Sequence, residues 1–222
     1  MPAKNYFSKK HHKVMEINEI LTRLFPENKC ELNYSTPWQF LFAVIMSAQT
    51  TDKQVNVLTS TLFKKYNTLD KFANSEIAVL TGDMSSIGLY KGKARNLQAT
   101  AKILIEKYNY KIPETISQLV ELKGVARKTA NVYLYEICGI NEGMAIDTHI
   151  GRMARRLGLV AYNVENAVLI EKNLMKIVPM ELWGSFGHRL ILYGRYHWPA
   201  IKKTHKGSLD KFAISRHKYI QD

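Results

Sequence analysis

The sequence predicts an all-α protein of about ten helices. Three observations carry this: apolar residues recur at helical spacing, period-two alternation is scarce, and capping residues or prolines stand at the ends of the apolar runs. The 222 residues are 46% apolar, 23% charged and 10% aromatic. That is enough for one large core or two small ones, and too rich in apolar side chains for a disordered chain.

Each helix has its own warrant. Met15, Ile17, Ile20, Leu21 and Leu24 make an amphipathic helix over about 13–25, closed by Pro26. Ser35-Thr36-Pro37 is a hydroxyl cap followed by a first-turn proline, and the helix it starts, 38–47, is apolar nearly all round and therefore central. Its run of seven apolar residues, Phe40 to Met46, falls short of the ~20 that span a bilayer. Helices follow over 51–66 and 69–73, and Ser75 is placed to cap another over 76–80. A long helix over 92–108 carries basic residues early and Ile103, Leu104 and Ile105 late, and Lys111-Ile112-Pro113 breaks it. Two helices joined by a tight link cover 115–121 and 127–138. Asp147 is placed to cap 148–157 and Asn163 to cap 164–178; a last clear helix covers 181–196. Beyond Trp198-Pro199 the pattern fades, leaving 208–219 as a weak basic helix or a tail.

Charge and cysteine usage narrow the partners and the compartment. Lys and Arg total 32 against 19 Asp and Glu, a net charge of +13. Such a field favours polyanions, with nucleic acid ahead of an anionic membrane. Cys30 and Cys138 are the only cysteines, too few for a disulfide framework or a four-thiolate metal site. The N-terminal ten residues hold no apolar signal core, so the expected home is intracellular and reducing. It would be a prokaryotic cytoplasm, or a nucleus or mitochondrion in a eukaryote. His188, His197 and His205 match no familiar zinc spacing and read as plain surface or core histidines.

The chemistry concentrates between 115 and 156. In Leu122-Lys123-Gly124-Val125-Ala126-Arg127-Lys128-Thr129-Ala130 a short helix ends, a glycine-containing turn follows and a second helix starts. Unpaired N–H groups at such a start, with the helix dipole behind them, can hold a phosphate, and Gly124 lets the backbone come close. A plain helical hairpin, with glycine as a cap, is the alternative. Lys128, one turn in, reads first as a solvated surface charge; the helix N-terminus and Arg127 beside it would disfavour an ammonium, which would suit an amine nucleophile. Asp147, nineteen residues on in Ile146-Asp147-Thr148-His149, suits an N-cap and, should a cation form nearby, an active-site carboxylate.

These two segments together resemble the helix-hairpin-helix-GPD superfamily of base-excision DNA glycosylases, in its endonuclease III branch. Glu31 to Ser35, Ser47-Ala48-Gln49-Thr50-Thr51-Asp52, Ile87-Gly88-Leu89-Tyr90, Lys93-Ala94 and Tyr193-Gly194-Arg195-Tyr196 echo that branch in order, so the likeness runs from about 13 to 196. The resemblance implies two helical lobes with a DNA-binding cleft between them. A six-helix barrel over 30–140 would carry the helix-hairpin-helix at 115–138, and 1–29 with 141–222 would form the other lobe. It implies Lys128 as the nucleophile at C1′ and Asp147 as the residue that helps deprotonate it and steadies positive charge on the sugar. Base loss, a Schiff base and β-elimination would follow. It implies Gln49 as the plug of the space left by a flipped base and Leu89 as a wedge beside the orphaned partner. Lys123, Gly124, Val125, Ala126, Arg127, Thr129 and His149 complete the expected DNA-binding set, with the Gly124 and Ala126 amides on phosphate.

Two departures from that pattern stand out. The usual Leu-Pro-Gly-Val-Gly of the hairpin is here Leu122-Lys123-Gly124-Val125-Ala126, so Ala126 would restrict the backbone or weaken the phosphate contact, and Lys123 would add a charge. The four C-terminal cysteines that bind a [4Fe–4S] cluster in the branch are missing, so no cluster is expected. Trp198, Phe212 and other apolar groups are expected to pack in its place. The expected protein is a monomer that needs no cofactor, since the amine itself does the chemistry. It would act on damaged duplex DNA, oxidised pyrimidines and abasic sites above all. A monofunctional mismatch glycosylase of the same fold and a non-catalytic DNA-binding protein are the competing readings.

Overall fold

The computed structural model describes residues 2–28, 30–199 and 207–214, with side chains from Lys9 onward. In chain order the helices are α1 (Pro2–Leu24), α2 (Pro37–Met46), α3 (Asp52–Lys65), α4 (Leu69–Ala73), α5 (Ile77–Asp83), α6 (Tyr90–Glu106), α7 (Ile116–Leu119), α8 (Arg127–Tyr133), α9 (Thr148–Arg156), α10 (Ala167–Met175) and α11 (Trp183–Tyr196). Among the described residues there is no strand, and no helix is long and apolar enough to cross a membrane. The chain divides into two compact units, Lys29–Glu142 and Met1–Asn28 with Gly143–Asp222.

The unit Lys29–Glu142 is built around α2. Thr36 caps it by accepting from the Gln39 amide, and Pro37 occupies its first turn, where no N–H is needed. All side chains from Phe40 to Met46 are buried, each contributing about 1.5–3 kcal/mol for the larger ones. Trp38, Phe42, Phe63 and Phe72 meet edge to face around it, with ring centroids 5.0–6.4 Å apart. α6 packs against α4 and α5, and α8 packs against α2 and α7. Tyr66 and Lys65 both donate to Asp83 Oδ2, which ties the end of α3 to the end of α5.

The unit containing the termini packs α1, α9, α10 and α11 around Ile17, Leu21, Ile150, Met153, Leu174, Phe186, Leu190 and Tyr193. Trp198 is fully buried here. Its indole N–H donates to Asp210 Oδ1 at 3.1 Å, and the Arg156 guanidinium lies 3.9 Å from its ring centroid. The Leu209 amide donates to Tyr193 Oη at 3.1 Å, and the Gly207 amide to Asp210 Oδ2 at 2.8 Å. Phe212 packs partly buried against the same core. A short 3-10 turn, Asp210–Phe212, is the described part of the expected helix over 208–219; residues 215–219 lie outside the described residues.

Several boundaries differ from the sequence reading, four of them instructively. α1 begins at Pro2, well before 13. Ser75 does not start α5: its hydroxyl donates to the Phe72 carbonyl and takes a bond from Gln98 Nε2, closing α4 instead, while Glu76 precedes α5 without a side-chain cap. The cap of α10 is Asn166, which accepts from the Val168 and Leu169 amides, and Asn163 lies before it in a turn. The helix expected over 127–138 is α8 followed by a π-helical turn, Leu134–Cys138, ended by Gly139 at φ +67°.

Candidate functional site

The unit Lys29–Glu142 presents two loops and a hairpin, and α6 supports all three. The first loop joins α2 to α3. Ser47 closes α2 and Thr51 caps α3, so Ala48, Gln49 and Thr50 are held between two fixed ends. Gln49 is exposed and stands at φ +55°. The second loop, Ile87-Gly88-Leu89, ends at the start of α6 with Leu89 at φ +59° and 61% exposed. A left-handed backbone costs a side-chain-bearing residue roughly 1–2 kcal/mol, so both loops store strain at the residues expected to enter DNA. They approach each other: a Cβ on Gly88 would lie 3.6 Å from the Gln49 carbonyl oxygen. Leu89 is therefore no core residue; its side chain is exposed.

The hairpin between α7 and α8 is built as the motif requires. Leu122 and Val125 are buried and anchor it, while Lys123, Gly124, Ala126, Arg127 and Lys128 are exposed and Thr129 is half-buried. Val125 can thus offer DNA only its backbone. Gly124 stands at φ +82°, and a Cβ there would come within 2.8 Å of Asn96 Nδ2 and 3.1 Å of Asn96 Cβ, so glycine is needed on both counts. Ala126 is in ordinary extended backbone, φ −92° and ψ 170°, so alanine in place of the family glycine introduces no strain there, contrary to the restriction expected. No side chain caps α8, which leaves its first-turn amides at an open, shallow surface lined by Val120 through Ala126. Lys128 follows within that turn and is exposed.

α6 holds residues that the sequence reading did not assign. Lys93 is only 5% exposed and its Nζ donates to Thr50 Oγ1 at 2.8 Å. Thr100, fully buried, donates to the Lys123 carbonyl at 2.8 Å, and Asn96 lies under Gly124. Lys93, Asn96 and Thr100 share one face of α6, so about 11 Å of one rigid element, with Leu89 just before its start, carries the Leu89 loop, the Gln49 loop and the hairpin. The signal was available as polar residues at i, i+3 and i+7 on the side of α6 that buries Leu97 and Ala101.

The other unit carries Asp147 and His149 at the start of α9. Asp147 Oδ1 accepts from the Ile150 amide at 2.8 Å, which makes it the N-cap. His149 is half-buried; burial pushes its pKa down, the Arg152 and Arg195 charges push the same way, and Asp147 opposes them. Arg152 Nη2 donates to the Gly194 and Trp198 carbonyls at 3.0 and 2.8 Å, fixing the end of α11 beside His149.

Among the described residues no three His, Cys, Asp or Glu are grouped as ligands, and His205 lies outside them. A [4Fe–4S] cluster needs four thiolates, and this sequence has two cysteines, none after Cys138. Both pack partly buried against the core of Lys29–Glu142, where burial pushes the Cys30 thiol up to about 11. The residues present do not fit the cluster.

Residues 42–180 match the HhH-GPD superfamily of base excision DNA repair proteins. The chain belongs to that superfamily. Its HhH-GPD relatives include Endonuclease III of Bacillus subtilis, 42% identical over 80% of each chain, and Endonuclease III of Escherichia coli, 41% identical over 80% of this chain and 84% of that one. Among solved HhH-GPD structures, a non-covalent Endonuclease III–DNA complex superposes with a TM-score of 0.86 at 36% identity, covering 96% of this chain and 99% of the other. A trapped Endonuclease III–DNA covalent intermediate gives 0.84 at 37% identity, covering 94% and 99%.

Proposed function

We propose that this chain is a base-excision DNA glycosylase with AP-lyase activity, with Lys128 as its nucleophile and Asp147 as its carboxylate. The observation that carries the reading is an exposed lysine in the uncapped first turn behind a hairpin held by Gly124, within a family match that spans both Lys128 and Asp147. The similarity to a trapped covalent Endonuclease III–DNA intermediate supports the same chemistry.

In this reaction the hairpin amides and the surrounding Lys123 and Arg127 grip phosphate. Gln49 fills the space vacated by the flipped nucleotide, and Leu89 presses beside the orphaned base. The neutral Lys128 amine attacks C1′; the N-glycosidic bond breaks and the base departs with its bonding electrons, taking up a proton. Asp147 accepts the proton that Lys128 sheds and opposes the positive charge that develops on the sugar. Opening of the sugar ring leaves an imine between Nζ and C1′. Loss of the C2′ proton then expels the 3′-phosphate, cutting the strand 3′ to the lesion. No metal or cluster takes part in any step. The substrate class is damaged duplex DNA, chiefly oxidised pyrimidines and abasic sites, bound by a monomer inside the cell.

Borohydride reduction during turnover on thymine-glycol and abasic duplexes tests the reading. A covalent protein–DNA adduct, absent in Lys128→Gln, is the expected outcome. Base release without an adduct would make the protein a monofunctional glycosylase, and binding with neither would make it a binding protein only.

A further inference from the structure

Lys93 is an anomaly for a lysine. Its side chain is buried, and among the described residues its single polar partner is the neutral hydroxyl of Thr50. It stands in the first turn of α6, where the helix dipole disfavours a cation. Burial alone pushes its pKa down. Burial without a counter-charge and placement at a helix N-terminus both work against the charge, and an apolar side chain would avoid both. What the ammonium achieves is a link. Its own backbone amide donates to the Leu89 carbonyl at 3.1 Å, and its side chain reaches Thr50, the residue after Gln49. The residues on either end of that link, Gln49 and Leu89, are both in the left-handed region. With the Gly88 Cβ position only 3.6 Å from the Gln49 carbonyl oxygen, the two loops lie side by side.

We infer that Lys93 is a positioning residue that locks the Gln49 and Leu89 loops into a single pre-formed DNA-inserting block through its hydrogen bond to Thr50. The inference rests on the proposed function, because it assumes that these loops enter the duplex at a flipped site. Pre-forming the block removes the ordering entropy that two independent loops would lose on insertion. Lys93 touches neither the sugar nor the base; it acts through Gln49 and Leu89.

The test uses the full chain and a duplex holding a tetrahydrofuran abasic analogue opposite 2-aminopurine, whose fluorescence rises when the orphaned base is unstacked. Lys93→Met is expected to lower affinity for this duplex about tenfold, the value of one lost hydrogen bond to a charged group, and to blunt the fluorescence rise. Affinity for undamaged duplex, set by phosphate contacts, should stay within twofold to threefold. Thr50→Val should reproduce both effects, Thr50→Ser should restore them, and Lys93→Met with Thr50→Val should be no worse than either alone. If Lys93→Met does not fold, the Thr50→Val and Thr50→Ser pair decides. Wild-type fluorescence in a folded Lys93→Met or in Thr50→Val, equal losses on damaged and undamaged duplex, or additive effects in the double variant would overturn the inference. Borohydride trapping by the wild-type preparation separates the two failures. Trapping with independent loops removes only the role of Lys93, whereas no trapping and no fluorescence rise removes the proposed function and this role with it.

Discussion

Asp147 caps α9 through Oδ1 and, in the proposed reaction, takes the proton of Lys128. Substitution can separate the two duties. Asparagine keeps the capping oxygen and loses the charge, so Asp147→Asn should unfold within about 0.5 kcal/mol of wild type while its turnover falls at least about a hundredfold. Asp147→Ala should lose turnover to the same degree and about 1 kcal/mol of stability besides. Denaturant melts read beside single-turnover excision check both, and an Asn variant with full turnover would remove Asp147 from the chemistry. The hairpin offers a second contrast. Gly124→Ala meets a left-handed backbone and the Asn96 side chain together and should lose about 2 kcal/mol, with weaker DNA binding. Ala126→Gly relaxes an already unstrained residue and should cost no more than about 1 kcal/mol.

Among the helices, most of the assignments were readable because local chemistry decides them: Thr36, Thr51, Thr68, Thr115 and Asp147 each cap the helix that follows by accepting from a backbone amide. The misplaced ends have tertiary causes. Ser75 is diverted by Gln98 of α6, a partner twenty-three residues away. Asn163 and Asn166 are equal as cap residues by type, and only the fold chooses between them. The π turn after α8 leaves no mark in an apolar pattern that a straight helix would satisfy equally well. The link between α3 and α5 gives a pH test. Burial raises the Asp83 pKa, but the bonds from Lys65 and Tyr66 outweigh it and the net shift is downward. A carboxylate lowered on folding stabilises the fold above its ordinary value of 3.8 and loses that contribution as pH falls below it. Asp83→Asn should therefore be about 1 kcal/mol less stable than wild type at pH 7, with the gap closing below pH 3.8, as read by thermal melts across that range. A gap that did not narrow at all as the pH fell below 3.8 would mean that the charge is not what holds the two helix ends.

Taken as one molecule, the protein carries a net charge of +13, and its binding to DNA should follow from that charge before any lesion is read. Affinity should fall steeply with salt, and Lys123→Gln or Arg127→Gln should each reduce the slope of log K against log salt by about 1 for every phosphate that the variant leaves unneutralised. An unchanged slope in both variants would place the phosphate grip elsewhere. The hairpin, Lys128 and Asp147 could be proposed from the sequence because each sits in a short contiguous motif, Leu122 to Ala130 or Ile146 to His149. The buried polar face of α6 was harder to read, because Lys93, Asn96 and Thr100 look like solvated positions until Thr50 of the loop between α2 and α3 and the hairpin meet them. The account as a whole depends on one bond, between Lys128 Nζ and C1′ of the damaged nucleotide. Fixing that bond with borohydride on an abasic duplex, digesting the adduct with trypsin and sequencing the DNA-bearing peptide by mass spectrometry tests it directly. The adduct is expected on Lys128; an adduct on Lys123, on another amine, or on none would contradict the account.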